Sequence, residues 1–205
     1  MAGTVIRSFD SPTATPFQPV WDGRTLWVID YPTGTIYQVD PVTGRAIRSI
    51  SAPSNAIHGL AWDGHYLLAH DGDSQLLYQV DPVTERIIRS LSAGLAADRG
   101  LAWDGRHLWM VSEFFATISQ IDPETGRTIR SISAPSYAIR GLAWDGRHLW
   151  MVTNNSTTIS QIDPETGRTI RSFSAPAPGC VGPALDGRSM WVSSYTTGRI
   201  YQLSV

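Results

Sequence analysis

Hydrophobic and polar residues alternate along this chain in short runs, and each run ends at turn-forming residues. In the stretch 141–181, this pattern predicts four strands, at residues 141–144, 148–153, 158–163 and 169–174. Asp145-Gly146 predicts a two-residue hairpin between the first two strands, and residues 164–167 predict a turn between the last two. No apolar period typical of a helix persists long enough to predict one.

The pattern recurs every 41 residues along the whole chain. A Trp-Asp-Gly triplet marks four of the copies and a Leu-Asp-Gly triplet marks the fifth, beginning at Trp21, Trp62, Trp103, Trp144 and Leu185. Five such periods span the 205 residues. Exact internal periodicity of this kind is typical of repeat architectures, so we expect one closed domain.

Four antiparallel strands per period, repeated five times, predict an all-β fold, a five-bladed β-propeller. The blades are expected at about 18–52, 59–93, 100–134, 141–175, and 182–205 together with 4–9. Residues 5–9 match the fourth strand of the fourth copy, whereas the fifth copy ends after its third strand. We therefore predict that the N-terminal strand completes the last blade and closes the ring.

Residues that recur in every copy are predicted to build the fold. We expect the tryptophans beside the first hairpin, and those within the second strand, to form the core between blades. Aspartate in the Asp-Gly pair is a turn former. The recurrent glutamine of the third strand is expected to bond backbone between strands, and the recurrent arginine of the fourth strand to form a solvated outer rim.

The differences between copies are concentrated in two places. Copies three and four agree at 30 of 41 positions, and ten of the eleven differences lie at 112–116 against 153–157 or at 136–140 against 177–181. In an up-and-down blade both connections emerge on the same side of the ring, which we call the variable face. The Asp-Gly hairpin and the Pro-x-Thr-Gly turn emerge on the opposite side, which we call the repetitive face. Variable loops on a rigid scaffold are typical of recognition sites, although loops also drift without a ligand.

Candidate binding residues lie on the variable face. The residue just before each inner strand should ring the mouth of the central channel, at Phe17, His58, Arg99, Arg140 and Val181. Two arginines and a histidine there predict a collar that attracts a carboxylate or sulfate. The surrounding loops carry Tyr31, Phe114, Phe115, Tyr137, Tyr195 and Asn154. Aromatic and amide groups together suit glycan or peptide binding, but also an ordinary polar surface.

Composition narrows the choice of partners. A net charge of −2, a pI near 6.2 and no run of basic residues disfavour nucleic acid and membrane partners. Cys180 is the single cysteine, which excludes an internal disulfide and a cysteine-based zinc site, and we expect it to be a small, partly buried filler. No metal or other cofactor is predicted, a monomer is expected, and the compartment is left open.

The blade sequence resembles known bacterial propellers. Residues 36–44, IYQVDPVTG, with Gly-Leu-Ala-Trp-Asp-Gly and His-Leu-Trp, resemble the YVTN/NHL and glutaminyl-cyclase-like groups. Five blades also occur in plant and bacterial glutaminyl cyclases and in the lectin tachylectin-2. The cyclase resemblance implies an active site at the channel mouth, but the catalytic residues of that family have no counterparts that can be placed on this sequence.

Three functions follow from these patterns. The first is a non-catalytic recognition or scaffold module that binds a glycan, a peptide or a small anion on the variable face. The second is an enzyme resembling the glutaminyl cyclases, for which His58, Asp98 and Glu113 are the candidate acids and bases. The third is a repeat protein without a ligand of its own, either artificial or excised from a larger protein.

Overall fold

A computed structural model describes residues 2–93, 98–112, 115–153 and 157–205. Its twenty strands are β1 Val5–Asp10, β2 Val20–Trp21, β3 Leu26–Asp30, β4 Thr35–Val39, β5 Ala46–Ser51, β6 Ile57–Trp62, β7 Leu67–Asp71, β8 Leu76–Val80, β9 Ile87–Ser92, β10 Asp98–Trp103, β11 Leu108–Ser112, β12 Thr117–Ile121, β13 Thr128–Ser133, β14 Ile139–Trp144, β15 Leu149–Thr153, β16 Thr158–Ile162, β17 Thr169–Ser174, β18 Cys180–Leu185, β19 Ser189–Ser194 and β20 Arg199–Ser204.

The strands form five antiparallel sheets of four, which confirms the five-bladed β-propeller. Four sheets follow chain order, from β2–β5 to β14–β17. The fifth sheet has the order β1-β20-β19-β18, so the N-terminal strand is its outermost strand, as predicted. The domain boundaries stay a prediction. Among the residues that the structure describes, no helix has the length and apolar character needed to cross a membrane.

The hairpin at each Asp-Gly pair is longer than the two residues predicted. In the first blade, residues 22–25 separate β2 from β3, and the Asp22 N–H donates to the Thr25 carbonyl at 3.1 Å. The Asp22 carboxylate also accepts hydrogen bonds from the N–H groups of Arg24 and Thr25. The Asp22 side chain thus closes a four-residue turn, because its carboxylate accepts hydrogen bonds from backbone N–H groups inside the turn.

Among the described residues the hydrophobic core forms five clusters, and each lies mainly between two adjacent blades. The second-strand tryptophans, each 1% exposed, lie in four of these clusters at Trp27, Trp109, Trp150 and Trp191. Their predicted core role is confirmed. The cluster between blades five and one joins Leu26 and Val28 to Ile200, with Phe9 of the N-terminal strand packed against it. Ring closure therefore rests on a hydrophobic interface as well as on strand pairing.

The first-strand tryptophans pack between blades, as predicted, and also face the central channel. They are partly buried against the interblade clusters, and they also line a cavity of about 90 Å³ on the channel axis, at Trp21, Trp62, Trp103 and Trp144. These residues end the inner strands at the repetitive face. Their predicted packing between blades is confirmed, and the channel lining is an additional role that the sequence did not predict.

A recurring network of side chains holds each blade together. In the first blade, Trp27 Nε1 donates to Asp22 Oδ2 at 2.8 Å, and Gln38 Nε2 donates to Thr25 Oγ1 at 2.8 Å. Arg48 Nε donates to Gln38 Oε1 at 2.9 Å, and its guanidinium lies 5.2 Å from the centroid of the Trp27 ring. Glutamine therefore bonds side chains rather than backbone, and the prediction for it was wrong. The arginine lies on an outermost strand that is largely exposed, as predicted, and it also covers an indole.

This network keeps the hairpin aspartates ionised. Burial alone would raise the pKa of Asp22, but hydrogen bonds from the Thr25 side chain, from the backbone and from the Trp27 indole outweigh it and lower that pKa. The pKa of the equivalent carboxyls of Asp104, Asp145 and Asp186 is lowered in the same way, with burial again opposing the hydrogen bonds. The carboxylate form is thus the one that stabilises the blades.

Candidate functional site

The variable face is formed by two kinds of connection in every blade. In blade one these are the loop between β3 and β4 and the passage from β5 to β6. The Ala52 N–H donates to the Gly34 carbonyl at 2.7 Å, which ties the two connections together at the same edge of the sheet. This geometry brings residues that are distant in sequence onto one surface.

Four of the predicted residues form an aromatic cluster at the channel mouth. The centroid of the Phe17 ring lies 5.3 Å from that of Tyr31 and 6.1 Å from that of Tyr195. Tyr31 continues to His58, with ring centroids 5.1 Å apart. Phe17 and His58 are buried, whereas Tyr31 is 37% exposed. The cluster therefore presents one accessible aromatic face on a buried base.

The two predicted arginines lie on neighbouring inner strands. Arg99 is the second residue of β10 and Arg140 is the second residue of β14. A Cβ added to Gly100 would lie 2.7 Å from Gly141 Cα, so these two strands approach closely and hold the arginines at the same level. Both arginines are half-buried. The two arginines thus lie on adjacent inner strands at one side of the mouth.

The inner strands begin earlier than predicted. His58, Arg99, Arg140 and Val181 are second residues of their strands rather than residues that precede them, whereas Phe17 does precede β2. Val181 is fully buried and belongs to the core cluster that also contains Phe17. A glycine follows each of these four residues, at Gly59, Gly100, Gly141 and Gly182, and the absence of a side chain there lets the inner strands approach closely.

A groove of about 520 Å³ opens beside the aromatic cluster, between blades one and two. It is lined by Tyr31, Pro32, Ser54, Asn55, Ala56 and Asp73. Asn55 and Asp73 are exposed, and Tyr31 forms the aromatic wall. The groove thus combines one exposed aromatic face with an amide, a hydroxyl and a carboxylate.

Two buried carboxylates hold the loops that form this groove. Asp30 accepts hydrogen bonds from the hydroxyls of Thr15 and Thr33, at 2.7 and 2.8 Å. Asp71 accepts hydrogen bonds from the N–H groups of Asp73 and Ser74, at 2.8 and 3.0 Å. Burial opposes ionisation of both groups, but these hydrogen bonds outweigh it and lower the pKa of Asp30 and of Asp71. Hydrogen bonds to these two ionised carboxylates therefore hold the loops of the groove in place.

The other predicted site residues on the loops either lie away from the aromatic cluster or fall outside the residues that the structure describes. Phe115 follows β11 and is 72% exposed, and Tyr137 precedes β14 and is 64% exposed. Phe114, Asn154 and Glu113 lie outside the described residues, as does the side chain of Asp98. The structure thus brings Phe17, Tyr31, His58 and Tyr195 together in one aromatic cluster, whereas Phe115 and Tyr137 lie on separate loops.

Sequence reasoning missed the residue that closes the channel. Gln18 is buried, and its Nε2 lies 2.9, 2.7 and 3.1 Å from the carbonyl oxygens of Leu60, Leu101 and Leu142. These acceptors belong to three different blades, which places the amide on the axis. A signal was present in the sequence: Gln18 stands at the repeat position where the other four copies carry glycine.

Cys180 is a buried residue of the interblade core. It is 1% exposed, and burial raises the pKa of its thiol to about 11. A protonated thiol is a weak nucleophile, which agrees with the predicted filler role. Within the described ranges, no group of three or more histidine, cysteine, aspartate or glutamate side chains is placed to hold a metal ion.

Comparisons with known proteins identify the fold. No protein-family model matches the chain, and no curated protein matches it. Among solved structures it is similar to the glutaminyl cyclase of Myxococcus xanthus, with a TM-score of 0.84, 16% identity, and coverage of 98% of this chain and 94% of that chain.

Two further solved structures share less of the architecture. One is hydrazine synthase from Kuenenia stuttgartiensis, with a TM-score of 0.54, 20% identity, and coverage of 90% of this chain and 56% of that chain. The other is a chain of a mitotic checkpoint complex, with a TM-score of 0.58, 18% identity, and coverage of 91% of this chain and 60% of that chain. At these identities the likenesses show a shared propeller fold.

Proposed function

We propose that this protein is a recognition module that binds a glycan in the groove between blades one and two. The observation that carries this proposal is the groove itself, in which the exposed face of Tyr31 stands beside Ser54, Asn55 and Asp73. The apolar C–H face of a sugar ring packs against an aromatic side chain, while its hydroxyls bond to carboxylates and amides. A volume of about 520 Å³ lies within the usual range for ligand pockets.

Rigidity of the groove supports recognition of a defined ligand. Phe17 and His58 fix Tyr31 from below, and Asp71 anchors the turn that carries Asp73. A side chain held in place before binding loses little conformational entropy when the ligand arrives. A peptide would use the same groove, but an exposed ring with separate polar groups on an open surface favours a sugar.

The arginine collar supports a second contact on the same face. Arg99 and Arg140 lie at the channel mouth, on strands that follow one another around the ring. We expect a carboxylate or sulfate group to bind there by charge-assisted hydrogen bonds. Crystals soaked in sulfate should show the anion beside these arginines, and an empty mouth would argue against the collar.

A glycan array with labelled protein tests the main proposal. The wild-type protein should bind a restricted set of sugars, and Tyr31→Ala should lose most of that signal, since the stacking surface is gone. Tyr137→Ala is the matched control, because it removes an exposed tyrosine of the same face outside the groove. Equal signals from both variants would place the sugar elsewhere, and an empty array with a bound peptide library would favour a peptide ligand.

Glutaminyl-cyclase activity is the alternative, and the fold likeness over 98% of the chain favours testing it. Of the three candidate acids and bases, His58 is buried beneath Tyr31, and its ring packs against that of the tyrosine. Incubation with a peptide that begins with glutamine would reveal cyclisation by the loss of ammonia. Turnover that is lost in His58→Ala would replace the recognition proposal with an enzymatic one.

A further inference from the structure

The second blade departs from the recurring tryptophan network. Leu68 stands where the other copies carry Trp27, Trp109, Trp150 and Trp191. In those four blades the indole Nε1 donates to the hairpin aspartate at 2.8 to 2.9 Å. An arginine of the outermost strand covers each ring, 5.0 to 5.4 Å from its centroid. Each tryptophan thus has a carboxylate for its N–H and a cation above its face.

The partners of the missing indole are still in place in blade two. Asp63 Oδ2 accepts a hydrogen bond from Gln79 Nε2 at 3.0 Å, and Arg89 Nε donates to Gln79 Oε1 at 2.9 Å. These are the same contacts that surround Trp150 through Gln161, at 2.8 and 2.9 Å. The frame that receives an indole is therefore complete, although the residue at its centre is leucine.

A cavity of about 110 Å³ occupies the space that the ring would fill, between blades two and three. Its polar side is supplied by Asp63, Gln79, Arg89 and Glu124, and its apolar walls include Leu68, Leu91 and Trp103. The leucine side chain ends at its two Cδ atoms, whereas an indole continues beyond its Cδ atoms into the rest of the ring system. Cavities of roughly 150 Å³ in protein cores bind benzene, so this space suits a single aromatic ring.

A surface ion pair lines one side of the cavity. Arg89 binds Glu124 of the next blade through both guanidinium nitrogens, at 2.6 and 3.0 Å. The two side chains are 33% and 73% exposed. Exposed ion pairs contribute little net stability, so opening this one to admit a small molecule has a low cost.

We propose that this cavity is a binding site for a small, neutral aromatic ring with one N–H donor, of the pyrrole class. The N–H donates to Asp63 Oδ2, the ring face lies beneath the Arg89 guanidinium, and the ring edges contact Leu68 and Leu91. Arg89 is paired with Glu124 at one side of the cavity, and Asp63 is the second carboxylate of the lining. A carboxylate acceptor suits an N–H donor, and the guanidinium suits the face of a neutral aromatic ring. The site is distinct from the variable-face groove and does not depend on it.

Titration calorimetry with pyrrole and furan tests the chemistry of the site. The two rings have nearly the same shape, but furan has an oxygen in place of the N–H. We expect pyrrole to bind and furan to bind at least about tenfold more weakly, because a hydrogen bond to a carboxylate is lost. Equal affinities, or no pyrrole binding to the wild-type protein, would overturn the proposal.

Two substitutions test the location. Leu68→Trp fills the cavity with the protein's own indole and should abolish pyrrole binding; Leu68→Phe fills the same space if the first variant does not fold. Trp109→Leu should create an equivalent site against Asp104 and Arg130, seen as a second pyrrole bound per protein. Unchanged binding in the filled variants, or a folded Trp109→Leu protein without a second site, would contradict the assignment.

Discussion

Gln18 shows how one residue can alter a nearly repeated structure. Four copies carry glycine at this position, because the inner strands approach too closely for a side chain. A Cβ on Gly182 would lie 2.5 Å from Gln18 Cγ, so the neighbouring glycine makes room for the amide. The single glutamine then bonds three blades at once and separates the variable-face mouth from the cavity on the repetitive face.

Gln18→Ala should destabilise the protein. The three leucine carbonyls lose their donor inside the channel, and each unsatisfied buried group is costly, so we expect the free energy of unfolding to fall by about 1–3 kcal/mol. Chemical denaturation of both proteins measures the difference. Gln18→Glu is the isosteric control: its carboxylate faces the same carbonyls without donors and should destabilise more than alanine. A glutamate variant as stable as the wild type would argue against the amide as the central donor.

At the scale of elements, the N-terminal strand determines whether the ring closes. Its Phe9 side chain packs against Trp191, with ring centroids 5.9 Å apart. Arg7 Nε donates to Gln202 Oε1 at 2.6 Å, so this strand supplies the arginine of the fifth network. Without β1, the edge of β20 and one side of Trp191 would face solvent. The strand is thus both an edge cover and part of an interblade core.

Deletion of residues 1–10 should therefore open the ring. We expect the unfolding free energy to fall by about 2–4 kcal/mol, since aromatic packing and a strand ladder are lost together. Thermal unfolding and size-exclusion chromatography measure the change, because an uncovered strand edge also promotes association. Deletion of residues 1–2 alone is the control and should change little. A truncated protein that melts like the full-length chain would refute the closing role of β1.

The repeat made the element pattern predictable, but the element boundaries depended on contacts that a sequence does not display. The period and the turn residues predicted four strands per blade and the completing role of β1. The hairpins were mispredicted, since the Asp22 carboxylate accepts two backbone N–H groups and widens the turn. The site was predictable only in part: loop variation indicated the variable face, whereas the groove needs Tyr31 and Asp73, which come from different blades.

At the scale of the whole molecule, ionised aspartates recur around the ring. Hydrogen bonds lower the pKa of Asp22, Asp104, Asp145 and Asp186 in the hairpins against the opposing effect of burial, and they lower the pKa of Asp71 beneath the groove in the same way. A carboxyl whose folded pKa lies below its unfolded value stabilises the fold at any pH above that unfolded value. The contribution is lost as the pH falls through the folded pKa.

Stability should therefore decline in acid. The unfolded pKa of aspartate is about 3.9, so the free energy of unfolding should be nearly constant from neutral pH to about pH 5 and fall below about pH 4. Urea denaturation across this range, at constant ionic strength, measures the profile. Asp22→Asn should flatten part of the decline, because the variant removes one titrating group. A profile that stays level through the acid range would contradict the role assigned to these carboxylates.

The two faces of the ring differ in kind. The repetitive face consists of turns closed by the same aspartate contacts in each blade, whereas the variable face carries the aromatic cluster, the arginine collar and the groove. A rigid ring whose loops differ in sequence on the variable face is a suitable scaffold for recognition, since substitutions in these loops do not disturb the interblade cores. The likeness to a glutaminyl cyclase concerns this scaffold and leaves the chemistry of the face to its own residues.

The location of a bound sugar tests the central claim most directly. A crystal structure of the protein with an oligosaccharide selected on the array should show a sugar ring against Tyr31, with hydroxyls bonded to Asn55 and Asp73. The position of the ring is decisive, because an affinity alone does not tell which loops bind. A sugar found on the repetitive face, or between other blades with the groove empty, would contradict the proposal.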